Sequence, residues 1–134
     1  MVDLTITAAS VVKGAVSQTE TGIAGEAITQ GEVVFKNASS EYVLSDADDT
    51  SLDEVSGIAL NAAADGQPLE VLLPGSDITI GATLTAGLPY FLSATAGAIA
   101  PEADLTTGDR KILLGIAKST TVLFFRPIDR GVIL

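Results

Sequence analysis

The chain has 134 residues, 47% apolar and 18% charged, and a net charge of −10. That is enough for one domain with a real core, and the composition is not a disordered one. There is no Cys and no His, which excludes disulfides, thiolate and imidazole metal sites, and Ser-His or Cys-His catalysis. An acidic surface repels nucleic acid, no apolar run approaches the roughly 18 residues of a membrane-spanning helix, and MVDLTITAAS lacks the basic start and apolar block of a signal peptide. Neither nucleic acid nor a membrane is therefore expected as a partner, and no cofactor is expected.

Helix signals are weak along the whole chain, and strand signals are frequent. LTIT at 4–7 alternates. EVVFK at 32–36 and YVL at 42–44 flank a polar turn, Asn37–Glu41. SGIAL at 56–60 and PLEVLL at 68–73 are separated by a loop with Asp65-Gly66, a hairpin dipeptide. Pro74-Gly75 ends the second of these. PYFLS at 89–93 and AIA at 98–100 flank a turn with Gly97. KILLGIA at 111–117 and TVLFFR at 121–126 flank Lys118–Thr120. The expected fold class is all-β, a small sandwich or barrel.

The chain also repeats itself. GEAITQGEVVF at 25–35 and GATLTAGLPYF at 81–91 share Gly25/Gly81, Thr29/Thr85, Gly31/Gly87 and Phe35/Phe91, with Ile28 matching Leu84. The offset of 56 continues through Ala38/Ala94, Ala47/Ala103 and Asp48/Asp104. Gly57-Ile58-Ala59 recurs as Gly115-Ile116-Ala117, and PLEVLLP at 68–74 as TVLFFRP at 121–127. This predicts an internal duplication, with halves at 25–74 and 81–127 in a β domain at 25–134. Gly25, Gly31, Gly81 and Gly87 are expected at sharp corners with positive φ. A half of about 50 residues buries too little surface to stand alone. Residues 1–24 fall outside the repeat and read as an extended arm or an added edge strand.

No catalytic constellation emerges. SDADDTSLDE at 45–54 gathers carboxylates, but Ser51 and Gly57 stand where a calcium loop of the EF-hand type needs Gly and Glu. It reads as a solvated loop, as does the Asp104…Asp109 pair. GSD at 75–77 and SGIA at 56–59 lack the nucleophile-elbow pattern. Charge is unevenly placed: from Asn37 to Asp109 there are twelve acids and no base, and all seven bases lie outside. This is either ordinary solubility charge or an acidic face opposed to a less acidic docking face.

The run GEAITQGEVVFKNASSEYVLSDAD, the block GIALNAAADGQP, the phrase GATLTAGLPYFLSATAGAIAP and the late LGIAKS resemble the small capsid decoration (cement) proteins of tailed bacteriophages. The likeness spans almost the whole chain. It implies a β-tulip or β-clip-like subunit that forms a homotrimer on the outer surface of the virion, binds the major capsid protein and has no enzymatic activity. On that reading the N-terminal arm carries attachment through Leu4, Ile6, Val11 and Lys13, with help from Arg126 and Arg130, and its removal leaves a folded oligomer. The phrase G-x-x-I-T-x-G also resembles β-clip modules, so the alternative is a fibre-type module recognising a host glycan or peptide.

Overall fold

The computed structural model describes residues 3–4, 6–14, 17–47, 54–93, 95–101 and 110–133. They form an all-β fold: one 3-10 turn at Ala8–Ser10 and eleven strands. The strands are β1 (Val12–Lys13), β2 (Thr19–Ala24), β3 (Val33–Lys36), β4 (Glu41–Leu44), β5 (Gly57–Ala59), β6 (Pro68–Leu72), β7 (Ser76–Thr79), β8 (Pro89–Leu92), β9 (Ile99–Pro101), β10 (Arg110–Ala117) and β11 (Val122–Ile133).

The duplication is visible in the strand order. β2 to β6 close into a barrel in the order β2-β4-β3-β5-β6. β7 to β11 lie in the order β7-β11-β10-β8-β9. Numbered within each half, both follow the same path: first strand to fifth, fifth to fourth, fourth to second, second to third. The repeated phrase makes the same turn twice. Glu32 N–H donates to Thr29 O and Leu88 N–H to Thr85 O, each at 3.2 Å, around Gly31 (φ 93°) and Gly87 (φ 84°). A positive φ at the third residue of such a turn is what glycine supplies without strain. Gly31 N–H then donates to Ala59 O and Gly87 N–H to Ala117 O, both at 2.8 Å. Ile28 and Leu84 are both 3% exposed.

The second Gly-Ile-Ala glycine is needed for proximity. A Cβ on Gly115 would run into Phe124 O, and one on Gly57 would run into Leu72 O. At both places the fourth strand of a half crosses its fifth too closely for any side chain. Gly25 departs from expectation. It does not have the positive φ of its counterpart Gly81 (φ 74°). It is a crowded position instead, where a Cβ would meet Val43 Cγ1 at 3.0 Å and Glu41 Cβ at 3.1 Å.

Two cores result. Ala24, Ile28, Val34, Tyr42, Ala59, Leu69 and Val71 fill the first barrel. The neighbouring residues Val33, Ile58 and Leu72 point out of it and join a larger core with Ile78, Leu92, Ile112, Leu114, Leu123 and Phe125 of the second half. Alternation along β3, β5 and β6 thus serves one core with each face.

The halves differ in how they close. In the first, β2 pairs in parallel with β4, Ile23 opposite Glu41 and Ala24 opposite Tyr42. In the second, Leu4 and residues 6–14 run between the outer strands β9 and β7. Leu4 N–H donates to Ile99 O and Thr7 N–H to Gly81 O, each at 2.8 Å. Val12 then pairs with Thr79 and Lys13 with Ile78. Val11 is 3% exposed in the larger core, with Leu4 and Ile6 packed against it.

This corrects the expected domain boundary. Residues 19–24 are a barrel strand, and Leu4 and residues 6–14 are a structural part of the second half, with Val12–Lys13 added as an edge strand within the same chain. Burying a Val side chain is worth about 1.5–3 kcal/mol. Deleting residues 1–14 should therefore lower the thermal midpoint sharply, and Val11→Ala should lower it by several degrees. An unchanged midpoint for the deletion, read by circular dichroism, would mean that the second half closes without the arm.

Candidate interaction surfaces

The most concentrated polar cluster among the described residues sits at one end of the first barrel. The inward positions of β2 are Glu20, Gly22 and Ala24. Gly22 leaves room for the Tyr42 ring, since a Cβ there would lie 2.5 Å from Tyr42 Cε2. The ring fills the barrel, and its hydroxyl donates to Glu20 Oε1 at 2.8 Å. Lys36 Nζ donates to the same oxygen at 2.7 Å and stands 5.4 Å from the ring centroid. These donors, Lys36 first, hold the Glu20 carboxyl below its usual range. Burial, then the bond to Glu20, pushes the Tyr42 phenol well above its usual range. The three groups satisfy one another at a barrel mouth, an arrangement that plugs the barrel.

The linkage has two limbs. A depressed carboxyl contributes stability above its unfolded pKa, and that contribution is lost as pH falls through the folded value. A raised phenol contributes stability below about pH 10, and that contribution is lost as pH rises beyond it. Glu20→Gln should flatten the acid limb of a midpoint-against-pH curve, and Tyr42→Phe the alkaline limb. Wild-type limbs in both variants would show that the cluster carries no such linkage.

The residues expected to contact a capsid divide into two groups. Val11 is buried in the larger core and is corrected from a docking residue to a core residue, while Leu4 and Ile6 are half-buried and pack against that core. The alternation in LTIT is a real apolar pattern, and its apolar residues Leu4 and Ile6 pack against the core of the same chain. Lys13 and Arg126 are exposed. Arg130 lies on β11. Of the acidic loop at 45–54, residues 48–53 lie outside the described residues, as does the whole 102–109 stretch that holds Asp104 and Asp109. Among the described residues no three Asp or Glu side chains gather as a metal-binding group.

Two surfaces stand out. The first is the outer face of the second sheet. The larger core takes Val11, Ile78, Leu123 and Phe125, so strand alternation turns their neighbours outward. Cross-strand register aligns them in two rows. Val12, Thr79 and Val122 form one. Asp77, Phe124, Ile116 and Pro89 form the other. Val12 is 56% and Ile116 48% exposed. Ile116, Phe124 and Lys118 line a shallow, mostly apolar depression, and Lys118 Nζ meets Asp77 Oδ2 at 2.8 Å.

The second surface is the outer wall of the first barrel across β4, β2 and β6. Glu41, Ile23 and Pro68 stand in one row, and Thr21 and Glu70 in the next. Ile23 is 41% exposed. The two surfaces differ in charge in a way that follows the duplication. Residues 15–75 hold eleven acids and one base, which accounts for the whole net charge of −10. The remaining six acids and six bases cancel. The bases beyond residue 75, together with Lys13, lie on β1, β10 and β11 or in the turn between the last two.

No protein-family model matches the chain, and no curated protein matches it.

Proposed function

We propose that the chain is a structural virion protein without enzymatic activity, which binds the outside of a phage head as a homotrimer and stabilises contacts between major capsid proteins. The observation that carries this reading is the outer face of the second sheet. Val12, Ile116, Phe124 and Val122 form an apolar surface on strands whose opposite faces are fully committed to the core. A sheet face of this kind, with bases nearby, suits contact with another protein surface. The polar cluster at Glu20, Lys36 and Tyr42 is internally satisfied and is read as a structural plug.

The likeness of the repeated glycine-rich phrases to capsid cement proteins supplies the identity of the partner. The physical requirements agree with it. A cement subunit must resist force without a cofactor, and a closed barrel and a sheet that share a core meet that demand. A trimer also multiplies weak contacts by about 10²–10⁴ in avidity.

The test is co-sedimentation with expanded, undecorated heads of tailed phages. The full chain should sediment with heads at saturation and raise the temperature at which they rupture. Arg126→Glu should weaken binding, and more so at low salt. A chain that leaves every head preparation unbound, yet is retained on an array of host glycans, would overturn the proposal in favour of a fibre-type module.

A further inference from the structure

We infer that the pocket between the N-terminal segment and the seam of the two halves binds a primary ammonium on an unbranched aliphatic stem, the chemistry shared by a lysine side chain of a partner protein and a free alkyl diamine. The inference is independent of binding to heads.

The pocket has a volume of about 280 Å³. Three pieces of chain meet there. One is the turn Thr29–Glu32 of the repeated phrase. The second is the turn between β8 and β9, with Gly97 and Ala98. The third is the N-terminal segment, with Leu4 and Ile6. Val33 N–H donates to Gly97 O at 2.9 Å and Gly97 N–H to Ser45 O at 2.7 Å, so backbone bonds fix the seam. Glycines keep the walls close. A Cβ on Gly97 would lie 3.0 Å from Glu32 Oε2, and one on Gly31 would lie 2.9 Å from Ile6 Cγ2.

The charge of Glu32 is surplus to its turn. Its Oε1 accepts from Thr29 N–H at 2.6 Å. In the second half the matching amide, Thr85 N–H, is satisfied at 2.9 Å by the neutral hydroxyl of Tyr90. Residues 29–32 read TQGE and residues 85–88 read TAGL. The two turns thus differ at Gln30 and Glu32, and both of these line the pocket. Glu32 is half-buried, and its Oε2 has no hydrogen-bond partner among the described residues. No described base pairs with it: Lys36 is held by Glu20 and Lys118 by Asp77. Gln30 Nε2 donates to Val11 O at 2.7 Å, which leaves the amide oxygen as a further acceptor.

These features select the ligand. One free carboxylate oxygen cannot make the paired bonds that a guanidinium prefers. It is also too few for a hard metal ion, which takes several oxygens. An ammonium is a compact point charge that needs no fixed fork of acceptors. Leu4, Ile6 and Ala98 offer apolar surface to a stem of methylenes, the part of a lysine that favours burial. The volume is at the lower end for ligand pockets, which suits a single chain rather than a ring system.

The test is a titration of the full, isotope-labelled chain followed by amide NMR at about 0.15 M salt. The probes are cadaverine, Nα-acetyl-lysine methylamide, the matching arginine derivative and neutral pentanol. Cadaverine and the lysine derivative should give saturable shifts centred on Gly31, Glu32, Gly97 and Ala98. The arginine derivative should bind more weakly, and pentanol should not saturate. Tighter binding of cadaverine supports the site and marks a free diamine as its ligand. Tighter binding of the lysine derivative supports it and marks a protein lysine.

Glu32→Gln keeps an oxygen for Thr29 N–H and removes the charge. It should weaken both amines about tenfold and leave the thermal midpoint unchanged. Glu41→Gln, on the barrel wall, should bind them as the wild type does. If Glu32→Gln unfolds, Ala98→Lys replaces it and should abolish binding of both amines. Absence of saturable binding would overturn the inference. So would shifts spread over the acidic barrel, affinity unchanged in Glu32→Gln, or an equal loss in Glu41→Gln.

Discussion

The structure depends on the apolar contact between the outside of the first barrel and the inside of the second half. Val33, Ile58 and Leu72 are each fully buried, yet they point away from the barrel to which their strands belong. Left alone, the first barrel would present these three side chains to water. The second half would lose the surface against which Ile78, Leu92, Ile112 and Leu123 pack. Neither half of such a length buries enough for independent stability. Strands that serve two cores need apolar residues on both faces, which is why Val33-Val34 and Val71-Leu72 are unbroken apolar pairs.

That shared contact also explains where the two halves were free to diverge. The first half fills its barrel with one large ring, Tyr42, and Gly22 opens the facing strand to admit it. The third strand can then pair directly with the first. The second half has Ser76 where the first has Glu20, counting at the repeat offset, and Ser76 Oγ accepts from Gln18 N–H at 2.8 Å. Its outer strands are joined by Leu4 and residues 6–14 instead. The N-terminal segment is thus the second half's substitute for a direct strand pairing. An element that looked dispensable from its place outside the repeat is the piece that completes it.

The sequence made the duplication legible because the constraints behind it are local. Gly31 and Gly87 sit in turns that need a positive φ, and Gly57 and Gly115 sit where backbones touch. Both requirements leave a glycine that cannot drift. Strands β3 to β6 and β8 to β11 were also readable, as short β-branched runs bounded by turn residues. β2 was not. Its inward positions are Glu20, Gly22 and Ala24, and its exposed position is Ile23, so the usual apolar-inside pattern is inverted by the Tyr42 ring. β7 is a four-residue strand led by a buried Ser directly after Pro74-Gly75, and it gives little signal. The surfaces were half legible. The uneven placement of charge is plain in the sequence. That Ile23 and Ile116 lie outside while Val11 lies inside, with Leu4 and Ile6 half-buried against the same core, depends on pairing between distant strands, which periodicity alone cannot order.

A duplicated fold with one shared core should behave as one cooperative unit, even though it is built from two similar halves. Native-state hydrogen exchange measures this most directly. The amides of Val34 and Val71 in the first barrel and those of Leu114 and Leu123 in the second half should exchange through the same opening. They should share one free energy and one denaturant dependence, and both should fall together when Ile58→Ala weakens the contact between the halves. Two separate opening energies, with the first barrel still protected while the second half exchanges, would contradict the dependence of each half on the other.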